Sequence, residues 1–146
     1  MKIQRLGHVV LRVADRDRSE KFYSGVLGIP MIARYDENGA KMAFFSLGNH
    51  HDLAVSQVSA EGGEASENEV GIDHVAFHIG EGIETLREAK TVLDRAGIVS
   101  TPIDHEVTLS LYFKDPDGNG VELYVDASDA WRREPGRVAQ ARPLTL

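Results

Sequence analysis

The sequence predicts an α+β fold made of two tandem β-α-β-β-β modules, and three observations predict it. Each half opens on a stretch of period-two alternation, each such stretch is followed by a helical pattern closed by a glycine, and the same landmarks recur across the halves. In "RLGHVVLRV" (5–13), Val9, Leu11 and Val13 share one parity while His8, Val10 and Arg12 share the other. In "GIDHVAFHI" (71–79), Val75, Phe77 and Ile79 make the apolar face, with His74, Ala76 and His78 opposite.

The elements follow in order. A helix is expected over 17–29, "DRSEKFYSGVLGI", and a second over 83–98, where Ile83, Leu86, Ala89, Val92 and Leu93 fall at helical spacing. Three strand-like runs follow the first helix, "MIARYDE", "KMAFFSLGN" and "HDLAVSQV", and three follow the second, "VSTPID", "VTLSLYFKD" and "GVELYVD". Alignment of the halves sets His8 over His74, Gly28 over Gly97 and Gly48-Asn49 over Gly118-Asn119. "DPDGNG" (115–120) reads as a hairpin turn, with Pro116 presetting φ and Gly118 and Gly120 admitting positive φ. One domain is therefore expected, with module 1 at about 3–58, an exposed linker at about 59–69, module 2 at about 70–126 and a tail at 127–146. Within the tail, a short helix is expected around Trp131, which is read as a packing anchor.

Composition narrows the chemistry. The 146 residues contain no cysteine, which excludes thiolate chemistry and leaves His, Asp and Glu as the metal-ligand repertoire. The formal net charge of -7 and the lack of a dense basic patch argue against nucleic acid and anionic membrane as partners. No apolar run reaches the length of a membrane span, and the start carries no apolar leader core, so the expected location is the cytoplasm.

Parity singles out the residues able to do chemistry. In "GVELYVD", Val121, Leu123 and Val125 form the apolar side and Glu122, Tyr124 and Asp126 the other. In "LSLYFK", Ser110 and Tyr112 face away from Leu111 and Phe113. Should the strands curve into a cup, His8, His74 and Glu122 converge: two imidazoles and a carboxylate, the facial set of non-haem Fe(II) oxygenases, which leaves coordination positions open. His78 shares the face of His74 but lies two side-chain steps further along, too far for the same ion, and reads as a rim residue.

With these residues in place, residues 3–126 resemble the vicinal oxygen chelate superfamily, which includes glyoxalase I, methylmalonyl-CoA epimerase, fosfomycin and bleomycin resistance proteins and type I extradiol dioxygenases. The resemblance implies a cupped, barrel-like mixed sheet with helices outside, around a divalent metal. Three stretches look like small single-domain catechol 2,3-dioxygenase-like proteins. "NHHDLAV" is similar to the segment that carries the acid/base histidine, with His51 the better match and His50 its competitor by parity. "DHEVTLSLYFKDPDGNGVELY" matches the end of the second module, and the tail matches in its Trp and Pro content.

The resemblance thus implies an Fe(II) extradiol dioxygenase of aromatic catabolism, acting on a small aromatic diol with dioxygen. His8, His74 and Glu122 would be the metal ligands, His51 the acid/base, and Tyr112 a hydrogen-bonding partner of substrate; His105 stands in the loop before "VTLSLYF" with a similar role in view. Mn(II) suits the same donors. A homodimer or higher oligomer is expected by analogy. The alternatives are a glyoxalase- or epimerase-like isomerase holding Zn(II) or Ni(II), in which the internal repeat sets Asp52 opposite Glu122 as a fourth ligand, or, with the register slipped by two, Ala54, which cannot coordinate; and a metal-free resistance protein that binds a small molecule.

Overall fold

The computed structural model describes residues 2–58 and 70–146, so the expected linker at 59–69 lies outside the described residues. The chain divides into two compact units, Met1–Ala65 and Ser66–Leu146. The architecture is α+β, with two mixed sheets and two α-helices; the strands form a separate sheet in each unit, with no closed barrel among the described residues.

In the first unit, β1 (Val9–Val13) is followed by α1 (Arg16–Glu20) and then by β2 (Met31–Glu37), β3 (Ala40–Phe45) and β4 (Leu53–Gln57), in the sheet order β1-β4-β3-β2. Helix α1 starts where it does because the Asp15 carboxylate accepts from the backbone N–H of Asp17 and Arg18 at 2.8 and 3.0 Å. The helix expected over 17–29 is realised differently. After α1 the chain widens into a π-helical turn at Lys21–Val26, where the Leu27 N–H reaches back to the Phe22 carbonyl, and both Phe22 and Tyr23 are buried. Ser19, Phe22 and Tyr23 supply the buried side of this segment, with Ala43, Phe45, Leu53 and Val55 as buried residues of the strands. The first strand is also shorter than its alternation suggested: it begins at Val9, so His8 stands just ahead of it.

In the second unit, β5 (His74–Glu81) leads into α2 (Gly82–Arg95), then β6 (Thr101–Asp104), β7 (Thr108–Lys114) and β8 (Gly120–Asp126). The sheet order is β5-β8-β7-β6-β9, the last strand being the two-residue β9 (Arg142–Pro143) contributed by the tail. Leu86 and Leu93 of α2 are fully buried, two turns apart on one helical face, which is how the 3.6-residue period of this segment becomes packing. The "DPDGNG" turn joins β7 to β8 as expected, but of its two glycines only Gly118 takes a positive φ, because Gly120 already opens β8. The Asp115 carboxylate accepts from the backbone N–H of Asp117 and Asn119, and Gly118 takes φ 84°.

The two sheets repeat one register. Strands β1 and β4 run parallel with Val9 opposite Leu53, and β5 and β8 run parallel with Val75 opposite Val121. Each unit therefore sets the start of its first strand beside the start of its last, and His8, His50 and His51 of the first unit and His74 of the second stand at or just ahead of these starts.

The tail has more structure than its lack of periodicity suggested. Besides β9 it forms 3-10 turns at Ala130–Arg132, the short helix expected around Trp131, and at Pro135–Ala139. No described helix is long and apolar enough to cross a membrane.

Candidate functional site

The second unit brings together His74, Glu122, Tyr112 and His105. Glu122 is the central group: it lies in the middle of β8 with only 7% of its surface exposed, on the face opposite Val121 and Leu123. A buried carboxylate needs partners, and this one has them. The fully buried Ser110 hydroxyl donates to Oε1 at 2.6 Å, and His74 Nε2 lies 3.0 Å from Oε2.

His74 opens β5 and is held from its other side. Its Nδ1 lies 2.6 Å from the Asp73 carboxylate, and a carboxylate can only accept, so Nδ1 carries the proton. In the neutral form of the ring, Nε2 would present a bare lone pair toward the carboxylate of Glu122. Two acceptors 3.0 Å apart are mutually repulsive unless something positive lies between them, either a second ring proton or a cation. An imidazole oriented by a carboxylate at one nitrogen and sharing a carboxylate oxygen at the other is the arrangement that metal-ligating histidines adopt. By the chemistry of the donor set, these residues fit a divalent metal.

Tyr112 stands directly across the β7–β8 ladder from Glu122, and its ring meets the His74 ring edge to face at 5.2 Å between centroids. Burial, with the charge of Glu122 next, pushes the Tyr112 phenol up to about 12, so it keeps its proton at neutral pH. His105 Nε2 lies 2.9 Å from the Tyr112 hydroxyl. A cavity of about 460 Å³ opens beside these groups, lined by His105, Tyr112 and Glu122 together with Tyr124, Trp131 and Val138. Trp131, expected as a packing anchor of the tail, is 43% exposed and forms part of the cavity wall, with Arg132 over its ring.

The first unit brings together His8, His50 and His51, whose candidate ligand atoms lie within 4.8 Å of one another. His8 and His51 are 4.1 Å apart between ring centroids, and His51 also meets Phe44 edge to face. The parity conflict at this pair resolves simply: both histidines precede β4, so strand alternation does not govern them. His51 is half-buried, whereas His50 is exposed and engaged with Asn49 Oδ1. Partial burial, and then the nearby His8 and His50, hold His51 below the usual imidazole range, which favours its neutral form.

The matched registers also settle which residue of the first unit corresponds to Glu122. Leu53 occupies the place of Val121, so Ala54 is the counterpart of Glu122 and Asp52 that of Gly120. Of the two positions expected for it, Asp52 and Ala54, the register selects Ala54. Ala54 offers no donor, and the Asp52 carboxylate accepts the Leu47 N–H at 2.7 Å. His78 is exposed, 3.6 Å from Asp126 and beside the Tyr124 ring.

Three further groups support the site, of which Ser110 already stood on the polar face of its strand in the sequence. Asp73 adjoins His74 in sequence, Ser110 shares the parity of Tyr112, and both signals were present. The third, the Gln140 carbonyl that touches His105, is a backbone group that no side-chain pattern announces.

Gly120 has a structural duty here. A Cβ at this position would lie 2.1 Å from the Asp73 carbonyl oxygen and 2.9 Å from the His74 Cβ. Gly120→Ala is therefore expected to push β5 away from β8 at His74. It should lower the unfolding free energy by about 1–3 kcal/mol and weaken metal uptake in the same variant, measured by denaturant titration and metal analysis.

A family model for the glyoxalase/bleomycin resistance protein/dioxygenase superfamily matches residues 5–123. The chain belongs to this superfamily. It is 32% identical over 123 residues to biphenyl-2,3-diol 1,2-dioxygenase 3 of Rhodococcus globerulus, a match covering 84% of this chain and 63% of that protein. It is 30% identical over 132 residues to lactoylglutathione lyase of Salmonella typhimurium, covering 88% and 96% of the two. Among solved structures it is similar to a glyoxylase/bleomycin resistance protein/dioxygenase domain from Frankia sp. EAN1pec, with a TM-score of 0.74 at 23% identity, covering 86% of this chain and all of that one, which shows the fold alone. The chain thus spans less than two thirds of the dioxygenase it matches, and the superfamily includes both dioxygenases and lyases.

Proposed function

We propose that this superfamily member is a metal-dependent extradiol dioxygenase that opens a catechol-type ring with dioxygen, using His8, His74 and Glu122 as metal ligands. The observation that carries the reading is the His74–Glu122 pair, an oriented imidazole nitrogen 3.0 Å from the oxygen of a buried carboxylate, a donor set that suits a divalent metal. The absence of a donor at Ala54 supports three protein ligands rather than four, which leaves room for both oxygens of a diol and for dioxygen. Fe(II) is the favoured ion and Mn(II) the substitute.

A divalent iron bound there would supply Lewis acidity toward adjacent substrate oxygens and a path for electrons to dioxygen. The remaining work belongs to side chains. Asp73 fixes the His74 ring and its tautomer, and Ser110 holds the Glu122 carboxylate in its buried position. His51, beside His8 and in its neutral form, takes a proton from a substrate hydroxyl and later returns it to the product. Tyr112 hydrogen-bonds a substrate oxygen, and Trp131 offers a flat apolar wall to an aromatic ring. His50 and His105 are the supporting histidines of this account. The protein acts as a homodimer or larger assembly in the cytoplasm.

The runner-up is an isomerase or lyase reaction of the lactoylglutathione type, for which the match over nearly the full length of such lyases is the support. It asks for a fourth donor in the first unit. Anaerobic loading with Fe(II), followed by a panel of catechols and air, is expected to give yellow ring-fission products. Absence of turnover across the panel, together with turnover of the glutathione–methylglyoxal hemithioacetal, would favour the runner-up.

A further inference from the structure

We infer that the C-terminal tail sets the hydrogen-bond direction at Tyr112 by locking the tautomer of His105, so that the cavity favours a ligand that brings its own hydroxyl proton. His105 Nδ1 lies 2.7 Å from the Gln140 carbonyl oxygen. A carbonyl only accepts, so Nδ1 carries the hydrogen and, in the neutral ring, Nε2 is an acceptor. The group 2.9 Å from Nε2 is the Tyr112 hydroxyl, which must then donate. The Glu122 carboxylate is the other acceptor within reach of the phenol; with the proton given to His105, the phenolic lone pairs are what the cavity ligand meets.

The tail is fastened on both sides of His105. Arg142 pairs with Asp104 at 3.0 Å while β9 adds to the edge of β6, and Arg137 pairs with Glu106. The Leu144 N–H closes the strand on the Pro102 carbonyl at 3.2 Å. A carbonyl clamped in this way is a fixed part of the site, and Gln140 and His105 are positioning residues that act through Tyr112.

The step from Tyr112 to ligand choice rests on the proposed function, because a metal drawing on Glu122 leaves His105 as the better acceptor for the Tyr112 proton. At that position a free hydroxyl can donate to Tyr112, and a methyl ether cannot.

The test separates the two layers. Nitrogen-15 labelling of histidine in the metal-free full-length chain, at mildly alkaline pH, reads the His105 tautomer without any need for turnover, with His105→Gln to assign the signal. The Nδ1–H form is expected, and it should give way to Nε2–H in Arg142→Ala and in a chain ending after Glu134. An Nε2–H ring in the unaltered protein, or a tautomer indifferent to both tail changes, would overturn the lock. Phenol and anisole are then titrated against the Zn(II)-loaded chain. One hydrogen bond predicts a preference for phenol of about 2- to 12-fold, lost in Tyr112→Phe and reduced in Arg142→Ala; equal binding by the unaltered chain would overturn the ligand preference. A correct tautomer in a protein that turns over no diol would leave the lock standing and sink only the dioxygenase reading.

Discussion

Glu122→Ala is expected to abolish metal retention and ring cleavage while leaving a folded protein. The substitution removes the carboxylate that faces His74 and strands the buried Ser110 hydroxyl, which donated to it. Loss of a group that merely orients a ligand costs about 10- to 100-fold in metal affinity, so loss of the ligand itself should exceed that range. Glu122→Gln is the informative companion, because it keeps the size and an acceptor oxygen for Ser110 while removing the charge. Metal analysis after gel filtration and the catechol assay report the two effects, and circular dichroism checks the fold. Retention of a full equivalent of metal by Glu122→Ala would exclude it from the site.

His51→Ala is expected to separate chemistry from metal binding. In the proposed mechanism His51 moves a proton and does not hold the ion, so kcat should fall by about 10²- to 10⁴-fold, the usual worth of general acid–base catalysis, with metal content unchanged. His50→Ala tests the neighbouring assignment. That ring is exposed and hydrogen-bonded to Asn49, and its removal should cost far less. A His50 variant as impaired as the His51 variant would reverse the two roles. Loss of metal from His51→Ala would instead give the three-histidine group of the first unit a ligand role of its own.

The periodic parts of this fold were readable in the chain. Alternation placed Glu122 and Tyr112 on the polar faces of their strands, and the "DPDGNG" turn centred between them predicts the cross-strand pairing that the ladder has. His74, at the head of an apolar strand, was readable in the same way. What was not readable depends on contacts between distant segments. Parity repeats every two residues, so it cannot tell Asp52 from Ala54 as the counterpart of Glu122; only the parallel pairing of β1 with β4 does so. The ring contacts of His8 with His51 arise from that same pairing, across more than forty residues. The tail was opaque because ion pairs and a backbone carbonyl hold it, not an amphipathic period. The π-helical turn after α1 left no mark that the helical spacing of 17–29 would betray.

The most direct measurement is a crystal structure of protein loaded with Fe(II) in the absence of air, with anomalous scattering recorded at the iron edge. The account predicts one iron bound by His8, His74 and Glu122, with Asp52 outside its coordination sphere. Iron held by His8, His50 and His51 without Glu122, or a fourth protein ligand from Asp52, would contradict it.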